Sequence, residues 1–286
     1  WAAVALEDGL FCIKVFSIND GYCSKAPGKK ATRASANIEC SERMEELHSL
    51  LGHVAKVSSL QFNPAADKLA SGSFDNCIRV WDSQAGQLLR VLAGHSRQVA
   101  AVSFSPAGSK LASASWDGSV KLWKVGAVAS NNLFSFFGGK KFANRLLEEE
   151  QQRERAETSI DGDDDNGLKA ITSTRAESSL YPNSGPVNCV AFCHNGDTVL
   201  IGCWNSEVSV WCVRTKEKLF VCQQHLHSVK SLCASPGTDH FLSSDLSGEL
   251  CLWGQGSSDL LERLQGPGTE VTASAFALDG RNVAVA

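Results

Sequence analysis

Three residue types that can carry out hydrolysis recur together in this chain. A Ser-His-Asp triad catalyses acyl transfer, and an enzyme builds one such triad at one pocket. Here a histidine, a serine and an aspartate are followed by the same three types 42 residues later. Because the set repeats at a fixed distance, we interpret it as structural rather than catalytic. The two sets are His53, Ser71 and Asp75, and His95, Ser113 and Asp117.

The sequence contains few groupings of residues that suggest a metal site. Cys189, Cys193 and His194 come closest to a zinc site, but no second ligand pair follows at zinc spacing. The acidic run 161–165 suggests calcium, yet Asn166 and Thr172 stand where a calcium loop needs glycine and a carboxylate. We therefore expect no metal site and no cofactor. The sequence also lacks a phosphate-binding glycine loop and a nucleophile beside a base, so we expect no enzymatic activity.

Composition limits the remaining function classes. The formal net charge of −4 and the pI of about 6.0 disfavour nucleic-acid binding by charge alone. Several of the 11 cysteines alternate within predicted strands, as small buried hydrophobes do in a reducing compartment, so we expect an intracellular protein, cytoplasmic, nuclear or both. No apolar run approaches the length of about 18 residues that a membrane span needs. Because the chain begins at Trp1 without a methionine and ends in an apolar run, we expect a segment of a longer protein.

The elements that position these residues follow from a repeated unit. Residues 92–124 contain short alternating apolar runs separated by a Ser105-Pro106 turn and a Trp116-Asp117-Gly118 turn. This pattern predicts three strands joined by tight turns. The same markers stand 42 residues earlier, and a period of that length with turns at fixed offsets indicates a repeat.

The order of these markers resembles the WD-repeat family. It comprises a Gly-His pair, a Ser-Pro or Asn-Pro turn, a Leu-Ala-Ser run, a turn aspartate and a closing tryptophan. In that family each unit forms one four-stranded blade of a β-propeller, so the resemblance implies an all-β fold. It also implies that His, a strand Ser, the turn Asp and the closing Trp form a buried hydrogen-bonded chain in each blade. By position these residues are His53, Ser71, Asp75 and Trp81, then His95, Ser113, Asp117 and Trp123.

We predict that residues 1–286 form a partial ring with about four complete blades and partial blades at both ends. Two polar insertions, about 17–46 and about 125–183, interrupt the repeat, and the second contains a candidate helix over 145–157. In the two later units Asn205 and Ser247 stand at the place of the turn aspartate. We therefore expect the buried chain to be incomplete in both.

Large apolar residues occupy the turn tip just before the aspartate or its substitute. Such tips normally prefer Gly, Asn, Asp or Ser. Either these side chains cap their own blades, or neighbouring blades set them side by side as an apolar surface for a partner. We predict partner binding by Phe74, Trp116, Trp204 and Leu246.

The favoured function is a non-enzymatic platform for binding other proteins. The segment 185–253 is also similar to the WD-repeat portion of the large ribonucleoprotein subunits shared by telomerase and vault particles. That similarity implies membership of an RNA-containing particle through regions outside this chain. Two alternatives are the propeller of a NACHT-type signalling ATPase and a propeller that contacts RNA. The basic residues that would favour RNA contact form one small cluster, Lys25, Lys29, Lys30 and Arg33.

Overall fold

The computed structural model describes residues 2–6, 11–19, 43–126, 173–174, 176–182, 185–254, 256–266, 269–277, 279–280 and 282–286. All regular elements within these ranges are β-strands. Among these residues no helix has the length and apolar character needed to span a bilayer. The strands are β1 (Ala2–Ala5), β2 (Ile13–Asn19), β3 (Arg43–Leu50), β4 (Val57–Phe62), β5 (Lys68–Ser73), β6 (Cys77–Asp82), β7 (Leu88–Ala93), β8 (Val99–Phe104), β9 (Lys110–Ser115), β10 (Val120–Lys124), β11 (Ser173–Thr174), β12 (Ser178–Leu180), β13 (Val187–Phe192), β14 (Thr198–Cys203), β15 (Val208–Cys212), β16 (Lys218–Cys222), β17 (Val229–Ala234), β18 (His240–Asp245), β19 (Glu249–Gly254), β20 (Leu260–Gln265), β21 (Ser274–Phe276) and β22 (Val283–Val285).

These strands form six successive sheets. The first holds β1–β3, the second β4–β7, the third β8–β10 with β12, the fourth β13–β16, the fifth β17–β20 and the sixth β21–β22. Neighbouring strands within each sheet run antiparallel, apart from β11, which pairs in parallel with the outer edge of β7. Three four-stranded sheets and a second sheet that β11 extends to five strands lie between two smaller sheets, and they confirm the predicted all-β fold with repeated blades.

Apolar side chains fill the space between adjacent sheets. Trp123 of the third sheet, for example, is fully buried against Ile78, Val80 and Leu92 of the second. Gly202 of the fourth sheet lets that sheet pack closely against the fifth. A Cβ at this position would lie 2.5 Å from Cys189 Sγ of its own sheet and 2.8 Å from Val229 Cγ1 of the fifth sheet. Each sheet is therefore stabilised by burial against its neighbours, as expected for stacked repeats.

The turn between the second and third strands of each complete sheet has a constant backbone shape. The residue five places before the closing tryptophan has a positive φ in all four cases. Glycine adopts this conformation without steric cost, whereas asparagine and serine adopt it less readily. The constant turn places the residue two positions earlier at the same tip in every sheet. The positive-φ residues are Asn76, Gly118, Ser206 and Gly248.

Regular structure reaches farther into the two predicted insertions than expected. Strand β2 continues to Asn19 and β3 begins at Arg43, both inside 17–46. Strand β12, inside 125–183, is the outer strand of the third sheet. The buried Lys68 Nζ donates to the carbonyl of Gly126 at 2.6 Å, where the chain leaves that sheet. The candidate helix 145–157, the acidic run 161–165 and the basic cluster around Lys29 lie outside the described residues.

Candidate functional site

The structure brings together the polar residues that the repeat places at equivalent positions. In the second sheet His53 Nδ1 lies 2.8 Å from Asp75 Oδ2, and His53 Nε2 lies 2.7 Å from Ser71 Oγ. Trp81 Nε1 donates to the same Ser71 oxygen at 2.9 Å. The third sheet repeats these three distances, 2.8, 2.7 and 2.9 Å, with His95, Asp117, Ser113 and Trp123.

This arrangement is unsuited to hydrolysis. Ser71 and Ser113 are completely buried, and each oxygen accepts a tryptophan N–H, so neither hydroxyl faces a substrate. Burial alone would raise the pKa of the Asp75 carboxyl, but the hydrogen bond and charge of His53 outweigh burial and hold that pKa well below its usual range. The same balance, with His95 and Ser119, lowers the pKa of Asp117. Both carboxylates therefore stay ionised and fix the histidines in place.

The fifth sheet also has a complete chain, so the prediction that it would be incomplete there is wrong. His225 Nε2 lies 2.6 Å from Ser243 Oγ, which accepts the N–H of Trp253 at 2.7 Å. His225 Nδ1 lies 3.1 Å from Asp245 Oδ2. Asp245 stands at the end of β18, two residues before the expected position, and Ser247 donates to its other oxygen at 2.6 Å.

The fourth sheet replaces this chain with other contacts. Trp211 Nε1 donates to Ser209 Oγ at 2.9 Å, within the same strand. Lys218 Nζ lies 3.4 Å from Glu207 Oε1 and 5.6 Å from the centre of the Trp211 ring. Asn205, at the turn, is exposed and accepts a long hydrogen bond of 3.4 Å from the Glu207 N–H.

The four predicted partner-binding residues occupy equivalent backbone positions. Each backbone N–H donates to the carbonyl of a residue just before the first strand of its own sheet, at 2.8 to 3.0 Å. The apolar tips are therefore held on one face of the row of sheets. The donor and acceptor pairs are Phe74 and Lys56, Trp116 and Gln98, Trp204 and Pro186, and Leu246 and Ser228.

Three of these side chains touch across neighbouring sheets. The ring centroids of Phe74 and Trp116 are 5.3 Å apart, and those of Trp116 and Trp204 are 6.1 Å apart at an interplanar angle of 77°. Trp204 is 55% exposed and Leu246 is 42% exposed, while Phe74 and Trp116 are partly buried. We call Phe74, Trp116 and Trp204 the aromatic row. Its contacts cross from blade to blade, so the side chains do more than cap their own blades.

Two features of the aromatic row favour a ligand. Trp116 Nε1 is buried and has no hydrogen-bond partner within the described structure, which leaves one donor unsatisfied. The residues beside the row include the exposed cations Lys56 and Arg97. The row is thus an apolar surface with positive charge at its side.

The cysteine and histidine residues that came closest to a zinc motif do not converge. Cys189 and Cys193 are buried in the apolar core between the fourth and fifth sheets. Burial raises the pKa of Cys193 to about 11. His194 Nε2 lies 3.8 Å from Asp239 Oδ1, an exposed carboxylate. Within the described residues these three therefore act as core and surface groups.

Several contributing residues were missed from the sequence. Arg79 Nη1 donates to Asp75 Oδ2 at 2.8 Å, and Ser119 Oγ donates to Asp117 Oδ1 at 2.6 Å. Arg79 is two residues, and Ser119 four residues, before its closing tryptophan. Because strand side chains alternate, these even offsets place both residues on the strand face that carries the tryptophan, which is the signal the sequence offered.

Comparison with known families agrees with this geometry. The family model described as "WD domain, G-beta repeat" (WD40) matches residues 44–82, 86–124, 176–212 and 216–254, which together make up more than half of the chain. The matched segments hold the closing tryptophans of the four complete sheets.

Similarity to individual curated proteins is confined to one short segment. Over 38 residues the chain is 58% identical to coronin-7 of Pongo abelii, 60% identical to coronin-7 of Rattus norvegicus and 55% identical to coronin-7 of Homo sapiens. The aligned segment is 13% of this chain and 4% of each coronin-7. The similarity therefore spans a length comparable to one repeat.

Proposed function

Since the chain belongs to the WD40 repeat family, we propose that it is a non-enzymatic scaffold that binds partner proteins through the aromatic row and Leu246. The observation that supports this most directly is the contact of Phe74, Trp116 and Trp204 across three successive sheets. Aromatic side chains that are rigidly held and partly exposed are typical anchors of protein interfaces.

The charges beside the row suggest which partners it binds. Arg97 is exposed, and its carbonyl accepts a hydrogen bond from Ser115 Oγ beside Trp116, while Asp75 and Asp117 on the turns of the row are engaged with histidines. Attraction between opposite charges speeds association and weakens with added salt. We therefore infer that the partner segment is acidic and carries apolar side chains.

Substitution of Trp204 by serine tests this function. Trp204 is 55% exposed, so its replacement should reduce partner binding strongly while thermal stability stays nearly unchanged. Leu89→Ser is the matched control, because Leu89 is also an exposed apolar residue, 38% accessible, but lies on the outer strand β7. Proteins captured from cell extract by the unaltered chain would be purified and titrated against both variants by calorimetry.

Loss of binding in Trp204→Ser with retention in Leu89→Ser supports the interface. Equal binding by both variants would contradict it. Unfolding of Trp204→Ser would show instead that the residue caps its own blade. A fall in affinity as salt rises, reduced in an Arg97→Gln variant, would support the acidic character of the partner.

More specific identities rest on the sequence alone. We infer from the similarity of residues 185–253 to telomerase protein component 1 that the parent protein belongs to an RNA-containing particle of the cytoplasm or nucleus. The NACHT-type propeller and the RNA-contacting propeller also stay predictions. Purification of the parent protein with and without ribonuclease separates them, since a particle component would copurify with RNA through regions outside this chain. Direct crosslinking of RNA to residues 1–286 would favour the RNA-contacting propeller.

A further inference from the structure

The fifth sheet gathers three metal-binding side chains around its buried histidine. One donor atom from each of His225, Glu249 and Cys251 lies within 4.8 Å of the other two. The Asp245 Oδ2 atom lies 3.1 Å from His225 Nδ1. Nitrogen, thiolate and carboxylate donors are the set that zinc prefers.

The second sheet has a different side chain at the position that corresponds to Cys251. Arg79 occupies the position two residues before the closing tryptophan, where the fifth sheet has Cys251. Arg79 Nη1 lies 2.6 Å from His53 Nδ1 and donates to Asp75 Oδ2, so a cation bridges the histidine and the aspartate there. In the fifth sheet the strand supplies a thiol at this position instead.

Comparison with the third sheet indicates which ring nitrogen of His225 faces Glu249 and Cys251. Ser119, four residues before the closing tryptophan, lies 3.4 Å from His95 Nδ1. Glu249 occupies that position in the fifth sheet. The Nδ1 edge of His225 therefore faces both Glu249 and Cys251, while Nε2 faces Ser243 at 2.6 Å. In the hydrogen-bonded chain His225 Nδ1 donates to the Asp245 carboxylate. When the imidazole proton moves to Nε2, Ser243 Oγ can accept it beside the Trp253 N–H, and the Nδ1 lone pair becomes available.

One edge of the cluster, at Glu249, borders a cavity, while Cys251 and His225 are buried behind it. A cavity of about 520 Å³ is lined by Glu249 and by Arg263 of the outer strand β20. Arg263 Nη1 lies 2.8 Å from Glu249 Oε1, and its side chain is 44% exposed. A metal ion would have to displace the Arg263 guanidinium from Glu249. The Arg263 side chain has room to turn outward.

We propose that His225 Nδ1, Cys251 Sγ and a carboxylate oxygen of Glu249 form a three-ligand site for Zn²⁺ beside the Asp245 carboxylate. Binding releases the thiol proton of Cys251 to solvent and moves the imidazole proton of His225 from Nδ1 to Nε2, where Ser243 Oγ accepts it. Coordination by the metal then replaces the hydrogen bond from Nδ1 to Asp245. The ion then links β19 to the loop before β17. The sequence predicted no metal, because His225 lies 24 residues before Glu249 and the three residues match no familiar metal-binding spacing.

Cobalt substitution tests the site directly. Purified, chelator-treated chain without a histidine tag is titrated with Co²⁺ and followed by absorption. A thiolate-to-cobalt charge-transfer band should appear at one ion per chain and disappear when Zn²⁺ is added. Cys251→Ser should abolish the band. The matched control Cys203→Ser, also a fully buried cysteine, should retain it.

Two further variants keep the test decisive if Cys251→Ser fails to fold. Even an outer-shell change typically weakens a metal site about 10- to 100-fold, so Glu249→Gln should weaken Zn²⁺ binding at least about tenfold. Arg263→Gln removes the competing cation and should tighten binding. Zn²⁺ should also raise the melting temperature of the unaltered chain, because it binds only the folded state. Absence of the band, its persistence in folded Cys251→Ser, or equal Zn²⁺ affinity in Glu249→Gln and Arg263→Gln would overturn the site.

Discussion

The third sheet buries Ser113 between His95 and Trp123, whereas the next sheet along the chain has Ile201 at the position of that serine. Ser113 is completely buried and makes two side-chain hydrogen bonds. Ile201 is equally buried but packs in the apolar core shared by the third and fourth sheets. Both sheets nevertheless have four antiparallel strands. Apolar burial between sheets is therefore sufficient for the blade architecture, and the polar chain is an addition to it.

The difference also explains why the hydrogen-bonded His, Ser and Asp residues of the polar chain are kept or lost together in a given sheet. Removing one partner of a buried hydrogen bond leaves the other unsatisfied, while replacing both with apolar groups can be nearly neutral. In the fourth sheet the serine is replaced by Ile201, and the Trp211 N–H is satisfied by Ser209 instead. The third sheet should consequently be the more vulnerable of the two to single polar substitutions.

Asp117→Ala should give the largest effect in this comparison. The change leaves His95, Ser119 and the N–H of Ser96 without their shared acceptor. We expect a loss of about 1–3 kcal/mol in the free energy of unfolding, the usual cost of an unsatisfied buried polar group. Chemical denaturation followed by tryptophan fluorescence measures it.

Asn205→Ala is the matched variant in the fourth sheet. Asn205 is exposed at the equivalent turn, and its side chain accepts one long hydrogen bond. A loss below about 0.5 kcal/mol is expected, as for most surface substitutions. Equal losses in the two variants would contradict the idea that the polar chain matters to the third sheet.

Acid should selectively remove the stability that the ionised Asp117 carboxylate contributes to the third sheet. Burial opposes ionisation of Asp117, but His95 and Ser119 outweigh it and hold its folded-state pKa below the unfolded value of about 3.9. Its contribution to stability is therefore fully present above that unfolded value and is lost as the pH falls through the folded-state pKa. Urea midpoints of the unaltered chain and of Asp117→Asn, measured from about pH 6 to pH 2, should differ by a constant amount down to about pH 4 and converge below it.

The fourth sheet supplies the control for this pH series. Asn205 cannot titrate, so the small difference between the unaltered chain and Asn205→Ala should stay constant over the same range. A constant difference for Asp117→Asn as well would show that the ionised carboxylate contributes nothing specific.

The repeat in the sequence predicted the blades and the aromatic row because both depend on constant offsets from the closing tryptophan. Phe74, Trp116 and Trp204 share one offset, and residues at one offset lie on one face of the stacked sheets. Strand β12 was missed because its three residues, far from β10 in the chain, are too few to show alternation.

Counting residues back from the closing tryptophan did not find the aspartate that contacts His225, because that aspartate lies at a different position and its side chain still reaches the histidine. The offset of the turn aspartate falls on Ser247 in the fifth sheet, but Asp245 makes the contact to His225 from the strand end. The Asp245 carboxylate is fully buried and also accepts the N–H groups of Ser247 and Glu249. A sequence pattern records residue types at positions and contains no information on how far a buried side chain extends. The same limit concealed the cluster of His225, Glu249 and Cys251.

A modest effect is expected for the ion pair that accompanies the loss of the polar chain in the fourth sheet. Lys218 Nζ lies 3.4 Å from Glu207 Oε1, and the two side chains are 33% and 11% exposed. In the third sheet Lys124 and Glu177 are 3.9 Å apart and are 50% and 39% exposed. Because solvent screens exposed pairs, a double-mutant cycle with Lys218→Met and Glu207→Gln should give a coupling energy of about 0.5–1 kcal/mol. The corresponding cycle on Lys124 and Glu177 should give a value near zero. If the two coupling energies are equal, the ion pair does not replace the missing chain, and the fourth sheet is held by apolar burial and the Trp211 hydrogen bond.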